Sequence, residues 1–279
     1  MENEVNRPNV VYLSSSAHSD WRNEVRAKYQ NNANVILVGP CEQHGLSDAM
    51  GAPGDSRPGH KLRITQMLSK SQILFGYIPN DRYRSFNIML EIGLAHAWGK
   101  KILLVNEARS LDEELRLAVT YVDQYFTSLD QGLTYLEQML VEPVVNPNQI
   151  NYSLGQSGTE QLSHQVYLEG EDQSTDWLET IKSHYRSYPS VQFCTGTDWA
   201  SLATSDILFA FRNSPERRLF NIPLSVGYAS TMAKRILFIN QGDHHSHAYD
   251  YVKPFSDGYF TNLEKGLEYL DYTLGIENR

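Results

Sequence analysis

Two polar residues spaced four apart could present their side chains on one face of a helix. Asn87 and Glu91 have this spacing in the segment Phe86-Asn-Ile-Met-Leu-Glu-Ile-Gly, and helical residues four apart lie one above the other. A carboxylate in the first turn would be favoured in its ionised form by the helix N-terminus, and an ionised carboxylate can act as a nucleophile. The alternative is that Glu91 only stabilises the helix that carries it.

The segment around Glu91 occurs twice in the chain. Residues 205–239 repeat the pattern of residues 71–105 without a gap, and the repeat places Ser225 where the first copy has Glu91. A repeat of this length indicates a duplicated structural unit rather than one large domain. Because the packing residues are kept and the acid is not, the comparison predicts one working site and one retired site.

Short apolar runs alternate with helical patterns in each copy, as in a parallel sheet covered by helices on both faces. The sequence therefore predicts the α/β class: two tandem flavodoxin- or Rossmann-like three-layer domains, each with a mostly parallel sheet of about five strands. The predicted bounds are 1–142 for the first domain, 143–163 for a linker rich in Asn, Gln, Gly and Pro, and 164–279 for the degenerate second copy. In the first copy we predict strands at 10–13, 34–38, 72–78, 101–105 and 125–126, and helices at 20–29, 61–70, 86–98, 111–120 and 128–140.

A loop rich in Gly, Pro and Asp separates the second predicted strand of the first copy from its next helix. It covers residues 42–60, and the second copy lacks it. Ligands of open α/β sheets bind at the carboxyl ends of the strands, where such loops emerge. We interpret this loop as a lid or substrate loop of an active first copy, with a plain surface loop as the alternative.

Composition excludes several classes of function. The formal net charge of −9 argues against binding of a nucleic acid polymer, which requires a basic surface. No run reaches the apolar length of a membrane span, and the first residues lack the features of a signal peptide. Cys41 and Cys194 fit a reduced compartment, so a cytoplasmic protein is expected. We predict neither a metal nor a cofactor, and interpret Asp243-His-His-Ser-His247 as incidental.

Several motifs of the first copy together resemble a known superfamily. The pattern Tyr-Ile-Pro, a loop, then Glu-Ile-Gly-Leu-Ala-x-x-x-Gly-Lys resembles nucleoside 2-deoxyribosyltransferases and related deoxynucleotide N-hydrolases. Within that superfamily the first half is most similar to the YtoQ family. The residues that carry the likeness are Tyr12-Leu13, His18-Ser-Asp-Trp-Arg22, Val38-Gly-Pro40, His44, Ser47-Asp48, Arg63 and Asn87 to Glu91.

The resemblance implies roles for these residues. Glu91 would be the nucleophile that attacks the anomeric carbon of a nucleoside, held by Tyr12 and Asn87. Asp48 would assist the leaving base, with His44 or Asp20 as alternatives. The remaining residues expected to bind substrate are His18, Ser47, Arg22 and Arg63. The two arginines would pair with a 5′-phosphate, and the alternative is that they form internal ion pairs. For His18 and His44 the alternative is a hydrogen bond within a loop.

The first copy also departs from the resembling proteins at two places. The transferases have an aspartate before the strand that matches residues 73–78, where this chain has Arg63 or Ile64. The YtoQ branch tends to have Asp where this chain has Glu91. Either carboxylate could act as a nucleophile, but their reach differs by one methylene group.

The resemblance also implies a function and partners. The chain is expected to cleave or transfer the N-glycosidic bond of a nucleoside or nucleotide through a glutamate nucleophile. A nucleotide-derivative binding module without turnover and a structural pseudoenzyme are the alternatives. Neighbouring subunits close the active sites of the transferases, so the two copies would form a pseudo-dimer within the chain. Association of whole chains into a homo-oligomer stays open, and no membrane partner is expected.

Overall fold

Two parallel sheets dominate the part of the chain that the computed structural model describes. That part comprises residues 8–15, 21–39, 57–81, 85–141, 144, 164–170, 176–196, 199–213, 219–242, 249 and 251–276, with the backbone alone for 57–60. Each sheet has five strands, and all the strand pairings are parallel. The predicted α/β class with two flavodoxin-like domains is therefore confirmed.

The first sheet has the strand order β2-β1-β3-β4-β5, which is the flavodoxin-like order. Its strands are β1 (Asn9–Ser15), β2 (Val35–Val38), β3 (Ile73–Ile78), β4 (Lys101–Asn106) and β5 (Gln124–Phe126). The accompanying helices are α1 (Trp21–Tyr29), α2 (Arg57–Ser69), α3 (Phe86–Ala97), α4 (Arg116–Val119) and α5 (Leu129–Met139). Strand β3 lies at the centre of the sheet and is buried at every position, as expected for a strand covered on both faces.

The second sheet repeats this arrangement. Its strands are β6 (His164–Glu169), β7 (Val191–Cys194), β8 (Ile207–Arg212), β9 (Arg235–Asn240) and β10 (Gly258–Phe260). Their order is β10-β9-β8-β6-β7, which is the order of the first sheet read from its opposite edge. The helices are α6 (Asp176–His184), α7 (Trp199–Thr204), α8 (Asn221–Thr231) and α9 (Leu263–Thr273).

A single hydrophobic cluster joins the two halves. It contains Tyr12 and Leu74 from the first sheet together with Tyr167 and Leu208 from the second. A further cluster lies on the other face of each sheet. Helices α3 and α8 pack against each other between the sheets, so their apolar residues belong to a core that both halves share.

The contact between α3 and α8 depends on two glycines. A Cβ added to Gly93 would lie 2.1 Å from the carbonyl oxygen of Leu224, and one added to Gly227 would lie 2.1 Å from that of Leu90. Neither distance can accommodate a side chain. The two helices therefore approach closely because the repeat has kept a glycine at the same place in both copies.

The helix bounds differ from the predicted ones in two places. Helix α2 begins at Arg57 rather than at residue 61, with Pro58 in its first turn, where the missing N–H costs no helical hydrogen bond. The predicted helix over 111–120 is instead a 3-10 turn, Arg109–Leu111, followed by the short α4. The side chain of Asp112 accepts hydrogen bonds from Asn106 and Tyr125, which holds this segment away from a regular helix.

The predicted domain bounds stay a prediction, because most of residues 143–163 lie outside the described part of the chain. Val144 lies within it, and its N–H donates to Asn9 Oδ1 at 2.8 Å. The chain thus returns to the start of β1 just after the first domain. None of the described helices is long and apolar enough to cross a membrane.

Candidate functional site

The carboxylate of Glu91 lies between α3 and the end of β1. Tyr12 donates its hydroxyl hydrogen to Oε1 of Glu91 at 2.8 Å, and Ser14 donates to Oε2. Successive residues of a strand point to opposite faces, so Tyr12 and Ser14 both face α3. The side chain of Glu91 is 1% exposed, and both of its oxygens accept a hydrogen bond.

The sheet topology places this cluster at a switch point. Strands β1 and β3 are neighbours in the sheet, although β2 comes between them in the sequence. Connections from two such strands leave toward opposite faces and open a crevice, in which α/β sheets bind their ligands. Asn87 contributes to the same place, because its side-chain amide donates to the carbonyl oxygen of Ser15 at 2.8 Å. The structure therefore brings Tyr12, Asn87 and Glu91 together.

Burial controls the charge of Glu91. Removal from water raises the pKa of Glu91 to about 7, against the opposing effects of the Ser14 and Tyr12 hydrogen bonds and the charge of Arg22. The expectation that the helix N-terminus keeps this group ionised was wrong. Glu91 lies beyond the first turn of α3, where the effect of the helix dipole has faded. A carboxyl with such a pKa changes charge near neutral pH.

Arg22 lies beneath the end of β1 and is fully buried. Its Nε donates to the carbonyl oxygen of Leu13 at 3.1 Å and one terminal nitrogen donates to that of Ser15 at 2.7 Å. A phosphate would have to displace these bonds to reach it. The guanidinium thus fixes the strand end that carries Ser14, and its charge lowers the pKa of Glu91.

The other predicted site residues do not enter this cluster in the described part of the chain. Arg63 is exposed on α2, and none of its described contacts joins it to Glu91. His18, Asp20, His44, Ser47 and Asp48 lie outside the described residues. Their expected roles stay predictions, including the leaving-group role of Asp48.

Sequence reasoning missed Ser14. The signal was present, since Ser14 follows Tyr12 by two residues at the end of an apolar run and must therefore point to the same face of the strand. A serine at the end of a strand is common, and only the position of α3 shows that its hydroxyl meets a carboxylate.

The second half also contains a carboxylate at this place, which the comparison of Glu91 with Ser225 had not revealed. Ser225 donates to Oε2 of Glu169 at 2.6 Å, and Asn221 donates to Oε1 at 2.6 Å. Asn221 also donates to the carbonyl oxygen of Gly170 at 3.0 Å. The second copy thus lacks the helical acid, as the sequence comparison indicates, but it has another acid on the strand. The prediction that its site is retired stays a prediction.

A parallel sheet in the flavodoxin-like strand order, with a buried carboxylate at its switch point, defines an α/β domain of the kind that binds ligands at strand ends. Within that class, residues 12–127 match the family described as "Nucleoside 2-deoxyribosyltransferase YtoQ". The protein described as "Uncharacterized protein YtoQ" from Bacillus subtilis (strain 168) is 22% identical over 139 residues, covering 43% of this chain and 93% of that protein. The first half of the chain is thus similar to the YtoQ family, which confirms the resemblance predicted from its motifs.

Proposed function

We propose that the first half of the chain cleaves or transfers the N-glycosidic bond of a nucleoside or nucleotide, with Glu91 as the nucleophile. The observation that carries this proposal is the carboxylate at the β1/β3 switch point, oriented through both oxygens by Tyr12 and Ser14. The likeness to a family named for nucleoside 2-deoxyribosyl transfer supports the reaction class. With a pKa of about 7, a large part of the group is ionised at neutral pH, which attack on the anomeric carbon requires.

The reaction follows the two-step course of retaining glycosyl transfer. A carboxylate oxygen of Glu91 bonds to the anomeric carbon while the bond from that carbon to the base nitrogen breaks. The electron pair of that bond goes to the base, which takes a proton from an acid. Asp48, His44 and Asp20 are the candidates for this acid. Water or an acceptor base then displaces the carboxylate from the sugar and loses a proton.

The second half supports the first through the shared core, and we interpret it as a degenerate copy that forms a pseudo-dimer within the chain. Phe86, one residue before Asn87, stacks on Tyr249 of the second half with ring centroids 4.5 Å apart. Tyr249 is fully buried. The second half therefore holds the start of the helix that carries Glu91. Association of whole chains and a cytoplasmic location stay predictions.

A binding module without turnover is the second candidate. The observation that favours it is the 1% exposure of Glu91, since a nucleophile must reach the anomeric carbon. In this case the pentose would contact the edge of the cluster, and Glu91 would remain hydrogen-bonded to Tyr12 and Ser14 throughout.

Base release separates the two candidates. The full chain is incubated with ribo- and 2′-deoxyribonucleosides and their 5′-monophosphates, with and without an acceptor base, and free base is measured by chromatography. We expect release by the wild type and a loss of about 10³-fold or more in Glu91→Gln, which removes the nucleophile. Glu107→Gln is the matched control, because Glu107 lies just after β4 and accepts from Tyr77 at 2.8 Å and from the N–H of Leu129, and none of its described contacts involves Glu91.

The outcomes differ for each candidate. Release that needs Glu91 supports glycosyl transfer chemistry, and dependence on an acceptor base distinguishes transfer from hydrolysis. Binding of a nucleoside without release from any substrate supports the binding module. Equal release by wild type and Glu91→Gln contradicts the nucleophile role, whatever the substrate.

A further inference from the structure

Arg22 holds the end of β1 at two points, one on each side of Ser14. Its Nε donates to the carbonyl oxygen of Leu13, and a terminal nitrogen donates to that of Ser15. Ser14 itself donates to Oε2 of Glu91. Because a guanidinium is planar and presents its donors in a fixed geometry, these two bonds fix the backbone of Ser14 and therefore the direction of its hydroxyl.

Holding a strand end does not by itself require a buried charge. Arg22 is fully buried, and a buried charge is unfavourable unless it is hydrogen-bonded and compensated by an opposite charge. The two carbonyl oxygens accept hydrogen bonds but carry no net charge. Glu91 is also buried, and the charge of Arg22 favours its ionised form. The cluster thus contains two buried groups of opposite charge at the end of β1.

The second half of the chain shows that an apolar residue can take the place of this arginine. Trp21 packs on Tyr77 with ring centroids 5.1 Å apart, and Trp177 packs on Phe211 at the same distance, so α1 and α6 are equivalent at these positions. The residue after the tryptophan of α6 is Leu178, which packs against the hydrophobic cluster of its own half.

The arginine accompanies the carboxylate of the helix. The second half has neither, because Leu178 stands in place of Arg22 and Ser225 in place of Glu91. A residue needed only to build the fold would be expected in both halves. The comparison within the chain therefore indicates that Arg22 serves Glu91.

We propose that Arg22 is the positioning residue of the candidate site, which directs Ser14 toward Glu91 and supplies a fixed positive charge to its carboxylate. Arg22 acts through these two residues rather than by contact with the substrate. This role differs from the phosphate contact that the family resemblance implies. The effect on the charge of Glu91 stands by itself, whereas the effect on catalysis rests on the proposed function.

The fixed charge favours ionised Glu91 at two stages of the proposed reaction. Before the first step it keeps more of the carboxylate ionised and able to attack. When a carboxylate oxygen bonds to the anomeric carbon, Glu91 becomes an ester and loses its charge, while Arg22 keeps its own. In the second step water or an acceptor base bonds to that carbon and loses a proton, and the electron pair of the breaking bond returns to Glu91. A charge fixed before the reaction stabilises the carboxylate that forms.

The elements packed around α3 bring few other charged or titratable groups to Glu91. Strand β1 contributes Tyr12, which is neutral because burial and Glu91 raise its pKa well above the usual value. Strand β3 and helix α8 contain no charged residue, and Lys101 lies at the opposite end of β4. The described charged side chains of α2 make no described contact with Glu91; they are Lys61 and Arg63. Among the described residues, Arg22 is therefore the charged group that acts on Glu91.

Titration of Glu91 tests the charge without any substrate. The full chain is labelled with glutamate that carries carbon-13 in its side-chain carboxyl, and the resonance of Glu91 is assigned by its absence from Glu91→Gln. We expect the pKa of Glu91 to rise by about one unit or more in Arg22→Leu, since a nearby opposite charge lowers a carboxyl pKa by about 1–3 units. Arg22→Lys keeps the charge, so its effect on this pKa should stay below about half a unit.

Arg26→Leu is the matched control. Arg26 lies one turn further along α1, where it donates to Asn23 at 3.3 Å in an exposed hydrogen bond. This variant removes the same charge from the same helix, and the pKa of Glu91 should not change.

Base release tests the positioning role. In Arg22→Lys we expect kcat to fall about 10-fold or more, because an ammonium on a flexible stem cannot hold both carbonyl oxygens as a guanidinium does. The loss should be the same for nucleosides and for their 5′-monophosphates. In Arg22→Leu kcat should fall as well, and the limb of the pH profile that reports ionisation of Glu91 should move to higher pH.

Two results would overturn the proposal. They are a pKa of Glu91 that is the same in Arg22→Leu and the wild type, and a loss of base release confined to 5′-monophosphates, which would identify Arg22 as a phosphate ligand. If Arg22→Leu does not fold, Arg22→Lys carries the test, and either a rise of about one unit in the pKa of Glu91 or undiminished base release contradicts the proposal. If the wild type releases no base from any substrate, the proposed function fails, and the titration alone decides whether Arg22 supplies the charge.

Discussion

At the scale of single residues, the environment of Glu91 determines its chemistry more than its place in the helix does. Sequence reasoning expected the helix N-terminus to hold the group ionised. The structure instead surrounds it with protein, and that burial raises the pKa of Glu91 to about 7. The hydroxyls of Tyr12 and Ser14 limit the rise because they donate to the ionised form.

This raised pKa makes the stability of the protein depend on pH. Below the usual value of 4.5 the carboxyl is protonated in both folded and unfolded chains, and between 4.5 and about 7 only the folded protein keeps the proton. Raising the pH through this window therefore destabilises the folded state, by about 3 kcal/mol in total.

Glu91→Gln removes the titrating group, so its unfolding free energy should not fall in this window. The unfolding free energy of Glu91→Gln minus that of the wild type should therefore increase by up to about 3 kcal/mol between pH 4 and pH 8. Denaturant unfolding of both proteins across this range measures the difference. If the difference in unfolding free energy between the two proteins is the same at pH 4 and pH 8, the raised pKa of Glu91 is contradicted.

The residues that sequence could and could not identify differ in one respect. The spacing of Asn87 and Glu91 follows from helical periodicity, and these two side chains do lie together with Tyr12 at a strand end. The serine at position 14 and the acid at position 169 could not be recognised in this way. Their importance depends on which strand residue meets which helix residue, and that contact joins positions far apart in the sequence.

At the scale of elements, the order of strands and helices was predictable, because each strand or helix can be recognised from the apolar pattern of its own residues. Helix ends depend on individual residues. Gly99 follows α3 with a φ of +61°, and Ala233 follows α8 in nearly the same conformation, with a φ of +53°. Glycine adopts this left-handed conformation readily, whereas the Cβ of alanine makes it unfavourable.

The two helix ends therefore predict opposite effects of reciprocal substitutions. Ala233→Gly should stabilise the protein by about 1 kcal/mol, since relief of strain outweighs the added freedom of the unfolded chain. Gly99→Ala should destabilise it by a similar amount. Thermal unfolding of both variants beside the wild type tests this, and a change of the same sign in both would refute the argument.

At the scale of the whole molecule, the shared core makes the two halves depend on each other. Helices α3 and α8 carry the candidate nucleophile and its serine counterpart, and they meet at Gly93 and Gly227. A side chain at either glycine would collide with a backbone carbonyl oxygen 2.1 Å away. A carbonyl oxygen within a helix cannot change position as the end of a flexible side chain can, so the two helices would have to move apart.

Gly93→Ala should consequently destabilise the protein by about 1–3 kcal/mol, the usual cost of overpacking a core, even though alanine favours a helix more than glycine does. Gly275→Ala is the control, because Gly275 has a φ of +68° but no atom within 4 Å of the added Cβ. Gly275→Ala should therefore lower the stability only by the cost of the left-handed backbone conformation, about 1 kcal/mol.

Hydrogen exchange should show faster opening of α3 and α8 in Gly93→Ala alone. If both variants lose the same stability and α3 stays protected, the halves do not depend on this contact.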